Sequence, residues 1–186
     1  MLKKWIPNNT ARNIVEWAIV LVAAAILAFV VNTFLAQTAN VTGDSMVPTL
    51  AHDDVVVVNK LAYRFGKPKY NDIVVFPYEG NPWDDGDQKY YIKRVIGLPG
   101  DEMDWQNGAF LRNGEKLNDA FSEAETMAGT VKFPLTVPEG TCFVLGDNRN
   151  VSDDSRYTAV GCMPFGKLVG KVSLRVLPFS KIGGVK

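Results

Sequence analysis

The chain offers little of what most catalytic and nucleic-acid chemistry relies on. It has one histidine, His52, so a histidine general base has a single candidate position. Acidic and basic side chains balance at 20 each, which leaves no net basic field to hold nucleic acid. No GxGxxG or GxxxxGK[ST] loop is present, so the usual phosphate cradles are excluded. The two cysteines, Cys142 and Cys162, form no CxxC and pair with no histidines, which argues against a zinc site. They are either two small buried hydrophobes or, in a domain outside the cytoplasm, a disulfide. There is no low-complexity tract and no internal repeat. A length of 186 residues suffices for one globular domain and an appendage.

What the chain does have is a long apolar run. Trp17–Ala36 reads WAIVLVAAAILAFVVNTFLA, 20 residues without a charge. As a helix it is roughly 30 Å long, the thickness of a bilayer core. It has no polar face, as a soluble amphipathic helix would. Lys3, Lys4 and Arg12 precede it, and no Lys or Arg follows between Ala36 and Asp53. The positive-inside bias then keeps the N-terminus in the cytoplasm and sends the rest across. A cleaved signal peptide is the alternative, but the run is long for that and Ala36-Gln37-Thr38-Ala39 is a poor cleavage pattern. The expected organisation is a cytoplasmic segment at 1–16, a transmembrane helix at 17–36 and an extracytoplasmic domain at 37–186.

Beyond the anchor the sequence reads as strands. Asp54–Lys60, Asp72–Tyr78, Tyr90–Gly97, Lys132–Val137, Thr141–Leu145 and Leu168–Leu177 are β-branched or aromatic and are punctuated by Gly, Pro, Asn and Asp. Asn107-Gly108 and Asn113-Gly114 flank AFLR and predict tight hairpins. Helical pattern is scarce: Ser122–Met127 allows a turn or two, and Gly80–Asp87 reads as a loop. The fold class is therefore mainly β, an antiparallel sheet domain tethered by one N-terminal transmembrane helix. A parallel α/β architecture lacks its crossover helices.

Three polar clusters interrupt the strands without a packing reason. Gly43–Leu50 (GDSMVPTL) holds Ser45 only nine residues after Ala36, Tyr90–Asp101 holds Lys93-Arg94, and Gly146–Arg156 reads GDNRNVSDDSR. Ser45 alone is an ordinary turn serine, and as a nucleophile it needs a base. His52, in AHDD, is one candidate, but no GxSxG elbow surrounds Ser45. Lys93 is the other. It alternates with Tyr91 and Val95, and Arg94 with Ile92 and Ile96, so one of these cations falls on or near a buried face. It is either a snorkelling edge-strand lysine or a desolvated amine. A free lysine is neutral in only about one molecule in a few thousand at pH 7, and burial raises that fraction. In the third cluster a serine hydroxyl can hold the amine, and an Asp-Arg pair can brace the loop.

Together the segments Ser45-Met46-Val47-Pro48-Thr49, Lys93-Arg94-Val95-Ile96-Gly97-Leu98-Pro99-Gly100-Asp101 and Gly146-Asp147-Asn148-Arg149 with Ser152, Asp154, Ser155 and Arg156 resemble the motifs of the bacterial type I signal peptidases. The resemblance runs from the anchor to the last strands, and the single span and short exported domain look like the Gram-positive members. It implies a serine endopeptidase that removes signal peptides from exported preproteins after a small residue. Ser45 would be the nucleophile and Lys93 the general base. Ser152 would orient the Lys93 amine, Asp154 and Arg156 would support the loop, and Met46 would shape the substrate pocket. The partners implied are signal-peptide-bearing preproteins and the lipid bilayer, with no nucleic acid, no metal and no organic cofactor. The substrate would bind as an added strand beside the serine. There are departures from the family pattern. Gly43 stands where some members have a serine that helps bind the oxyanion, leaving the Ser45 N–H as the main identifiable donor. Asp53-Asp54 and Asn71-Asp72 stand where many read Gly-Asp. A cytoplasmic Ser-Lys protease of the self-cleaving repressor type would not carry the apolar span.

Overall fold

The computed structural model of the protein describes residues 9–77, 90–117 and 127–185. The expected loop Gly80–Asp87 and the expected turn at 122–126 lie outside them. Helix α1 (Asn9–Val30) continues through one wider π turn, Val31–Leu35. It begins upstream of the apolar run because backbone hydrogen bonding does not need apolar side chains, and an Arg12–Glu16 pair at 3.9 Å sits on that polar first portion. The side chains from Trp17 to Leu35 are exposed. By length and composition Arg12–Leu35 is a candidate membrane span, and none of it is buried by the rest of the chain.

Ala36 opens a strand directly. The strands are β1 (Ala36–Asn40), β2 (Val55–Asn59), β3 (Ile73–Pro77), β4 (Tyr90–Gly97), β5 (Glu102–Gln106), β6 (Ala109–Arg112), β7 (Glu115–Lys116), β8 (Leu135–Thr136), β9 (Thr141–Leu145), β10 (Met163–Pro164), β11 (Gly170–Leu177) and β12 (Gly183–Gly184). The larger sheet runs β1-β2-β11-β3-β4-β9-β10, with β12 on β11, and the smaller runs β7-β6-β5-β8. Every pairing is antiparallel, as the sequence pattern predicts. The described residues after the helix add only single 3-10 turns, at Arg149–Val151, Phe165–Lys167 and Phe179–Lys181.

Both Asn-Gly pairs make the expected hairpins. Asn107 and Gly108 take φ of 50° and 79°, and Asn113 and Gly114 take 55° and 80°. These left-handed pairs match the twist of the strands they join. The larger sheet is buried on both faces at its centre, which explains the unbroken apolar run of β3. Ile73 and Val75 join Val41, Met46, Leu50, Val56, Val58 and Val172 on one face. Val74 and Phe76 join Tyr91, Val95, Cys142 and Val144 on the other. A third cluster, built on Ile96, Met103, Phe110, Val137, Phe143 and Leu145, draws residues from both sheets. Cys142 and Cys162 are both free thiols, Cys142 fully buried, so the hydrophobe reading applies to it.

Candidate active site

Strand β4 lies between β3 and β9, with Lys93 opposite Val74 and Arg94 opposite both Ile73 and Leu145. The alternation of β4 predicts one buried cation, and the structure buries both. Lys93 is 3% exposed and Arg94 2% exposed, because both faces of the sheet are covered here. The two are neutralised differently. Arg94 makes two charge-assisted bonds to Asp147, Nε to Oδ1 and Nη2 to Oδ2, each 2.7 Å. Among the described residues Lys93 has no acid in direct contact. Its Nζ donates to Ser45 Oγ at 2.8 Å and lies 4.7 Å from the centre of the Tyr91 ring.

Ser45 reaches this point because two loops are tied together. The Asn148 N–H donates to the Ser45 carbonyl at 2.9 Å, and Arg94 Nη2 donates to Thr49 Oγ1 at 3.3 Å. The Ser45 turn is thus held to the loop after β9 on one side and to β4 on the other. The buried side chains of Met46 and Leu50 pin it from below. Gly146 is required at the junction. A Cβ there would overlap Ser152 Oγ and stand 2.6 Å from the Ser45 carbonyl oxygen.

The Gly146–Arg156 loop is braced from within. Arg156 donates through Nε to Asp154 Oδ1 at 2.7 Å and through Nη2 to Oδ2 at 2.9 Å, and both residues are fully buried. The same guanidinium also binds the carbonyls of Arg149 and Ser152, at 2.5 and 3.0 Å. Asp154 Oδ2 accepts the Gly146 N–H at 3.0 Å. Ser155 joins the loop to β9, its Oγ accepting the Val144 N–H at 2.9 Å.

Burial holds the Lys93 amine down from its ordinary 10.5 to about 8. The carboxylates of Asp154 and Asp153 pull the value back up, and desolvation outweighs them. A groove of ≈ 270 Å³ opens beside the amine, lined by the edge strand β1, Val41, Ser45, Met46, Ile92 and Lys93. Among the described residues the Ser45 N–H makes no hydrogen bond, so it is available as a donor at the serine.

Two expected roles look different here. Ser152 does not hydrogen-bond Lys93; its Oγ is buried with no partner among the described residues, and its neighbours are Gly146 and the main chain of Ser45. His52 is exposed, and its Nδ1 accepts the Gly43 N–H at 3.0 Å while its Nε2 faces Asp53 at 3.5 Å. It therefore serves the turn around Gly43.

The sequence profile described as Signal peptidase, peptidase S26, matches residues 14–177. The chain belongs to this family. Signal peptidase IB of Staphylococcus aureus is 34% identical over 186 residues, spanning 91% of this chain and 93% of its own. Probable signal peptidase I-2 of Synechocystis is 37% identical over 181 residues, 95% of this chain and 78% of its own. A crystal structure of a signal peptidase I from Enterococcus faecalis shares 32% identity and covers 56% of this chain and 96% of that one, with a TM-score of 0.44.

Asp53 and Asn71 take left-handed backbone, with φ of 66° and 67°, a conformation glycine adopts without strain and Asp and Asn tolerate. The following aspartates cap the turns, Asp54 accepting the Ala51 N–H and Asp72 the Lys69 N–H, each at 3.0 Å. Sequence reasoning missed the Arg94–Asp147 pair and the role of Ser155. The pair joins positions 53 apart, and no local pattern in the sequence marks it.

Proposed function

We propose that this signal peptidase family member removes signal peptides from exported preproteins with Ser45 as nucleophile and Lys93 as general base, while the N-terminal helix anchors it in the cell membrane. The observation that carries the reading is the 2.8 Å contact between Lys93 Nζ and Ser45 Oγ, made by a buried amine that has no acid in direct contact among the described residues. In the charged form the amine donates along that contact. Once neutral, its lone pair accepts the serine proton along the same line. The alkoxide then attacks the carbonyl of the scissile bond, the Ser45 N–H steadies the oxyanion, and Lys93 hands its proton to the leaving amine. The acyl-enzyme that remains is opened by water, whose proton Lys93 takes.

Substrate enters as an extended strand along β1, which is an edge strand among the described residues. The wall of Val41, Met46 and Ile92 leaves room for a small side chain at the cleaved bond. The Asp154–Arg156 brace holds the loop that carries Gly146 against the serine. In this reading residues 1–16 are cytoplasmic, 17–36 cross the bilayer and 37–186 lie outside. The serine then sits at the surface where a signal peptide, itself a membrane helix, emerges.

The test is cleavage of a labelled preprotein by the detergent-solubilised enzyme, with the cut mapped by mass spectrometry. Wild type is expected to cut once, after a small residue. Ser45→Ala and Lys93→Ala are expected to leave the substrate intact, and substantial cleavage by either contradicts the dyad.

A further inference from the structure

A second crevice lies at the far end of the apolar helix, on the other side of β2. From Val55 to Asn71 the chain carries Lys60, Arg64, Lys67 and Lys69 and no acid, although charge balances overall. Lys60 is folded onto the end of the helix: its N–H donates to the Leu35 carbonyl at 2.9 Å, and its Nζ donates to the carbonyls of Asn32 and Thr33 at 3.0 and 3.3 Å. The Arg64 guanidinium lies 5.7 Å from the centre of the Phe34 ring. Between them is a space of ≈ 350 Å³ walled by Phe34, Tyr63, Phe165 and Leu168. Phe65, next to Arg64, is 86% exposed and stands beside this crevice rim in sequence.

Two cations over an apolar wall, at the point where a membrane helix ends, match a lipid headgroup: phosphate above, acyl chain below. The positive-inside bias makes two cations folded against the outer end of a span, Lys60 and Arg64, a feature that needs a reason. We propose that this crevice binds the phosphate of an anionic phospholipid, with Lys60 and Arg64 as its ligands and Phe65 inserted among the acyl chains. The bound lipid docks the β domain on the bilayer and fixes the height of the Ser45 groove above it. This inference rests on the anchored reading given above.

Native mass spectrometry of the full-length protein released from mixed phosphatidylcholine and phosphatidylglycerol micelles tests it. Wild type is expected to retain phosphatidylglycerol over phosphatidylcholine. Arg64→Gln is expected to weaken that retention about five-fold, following from about 1 kcal/mol per cation at an anionic surface, and Arg64→Lys to restore most of it. Among the described residues the Arg64 side chain makes no hydrogen bond, so cleavage of a preprotein in neutral detergent is expected to survive Arg64→Gln. Equal retention of the two lipids overturns the proposal, as does unchanged retention in Arg64→Gln. Displacement of phosphatidylglycerol by millimolar inorganic phosphate also overturns it, by making the crevice a soluble-anion site. Flotation with neutral vesicles separates the two readings: protein that floats without preferring phosphatidylglycerol refutes only the headgroup site, and protein that does not float refutes the anchor as well.

Discussion

Replacing Lys93 with methionine should abolish cleavage and make the protein more stable, a combination that an ordinary structural lysine would not give. Methionine keeps the length and apolar contacts of the lysine stem. Holding the amine at about 8 instead of 10.5 costs about 3 kcal/mol, at about 1.4 kcal/mol per unit. Lys93 is 3% exposed, so solvent screening takes little from that figure. Losing the hydrogen bond to Ser45 returns about 1 kcal/mol, leaving a net gain of about 2 kcal/mol. The pH dependence has a definite sign. Below pH 8 the folded and unfolded chains both hold the proton, and the cost is present in full. Between 8 and 10.5 the unfolded chain holds a proton that the folded one has lost, so wild-type stability rises with pH. The advantage of Lys93→Met should shrink across that window. Denaturant titration followed by tryptophan fluorescence at several pH values reads it directly. A variant less stable than wild type at pH 7, or a gap that does not change with pH, refutes the reasoning.

Other perturbations separate the parts of the site. His52→Ala should leave the acidic limb of the kcat/KM profile where it is, because His52 bonds the Gly43 N–H and not Ser45; a limb that vanishes in this variant would restore the histidine as base. Asp154→Ala strands the Arg156 guanidinium in the interior and should destabilise by about 3–5 kcal/mol, read as a lowered Tm. Gly146→Ala forces its new methyl against Ser152 and the Ser45 carbonyl, and displacing the serine should lower kcat by about 100-fold with the fold retained in circular dichroism.

Much of the fold is readable from local chemistry. The hairpins around AFLR follow from asparagine and glycine tolerating left-handed backbone, and Tyr90–Gly97 and Thr141–Leu145 match their strands residue for residue. Lys132–Val137 shrinks to Leu135–Thr136, because an apolar run does not guarantee a partner and only two of its residues find one on β5. The weak strand Ala36–Asn40 is invisible in advance: AQTAN has a single β-former, Thr38, and its ladder with β2 supplies what propensity does not. At the site, alternation along β4 shows that a cation is buried near Tyr91. It cannot show that Asp147 is there to receive Arg94, since that pairing joins positions far apart in sequence through the β4–β9 ladder. For the same reason the free hydroxyl of Ser152 and the His52–Gly43 bond become visible only once the loops are folded against one another.

The proposed base, Lys93, loses its proton near pH 8, well below an ordinary lysine, because it is buried. Carbon-13 NMR of protein labelled at the lysine ε-carbons, with Lys93→Arg to assign the signal, measures it directly. The expected titration midpoint lies near 8 and coincides with the acidic limb of kcat/KM. A midpoint near the ordinary lysine value of 10.5, or a rate limb that does not follow the Lys93 signal, contradicts it.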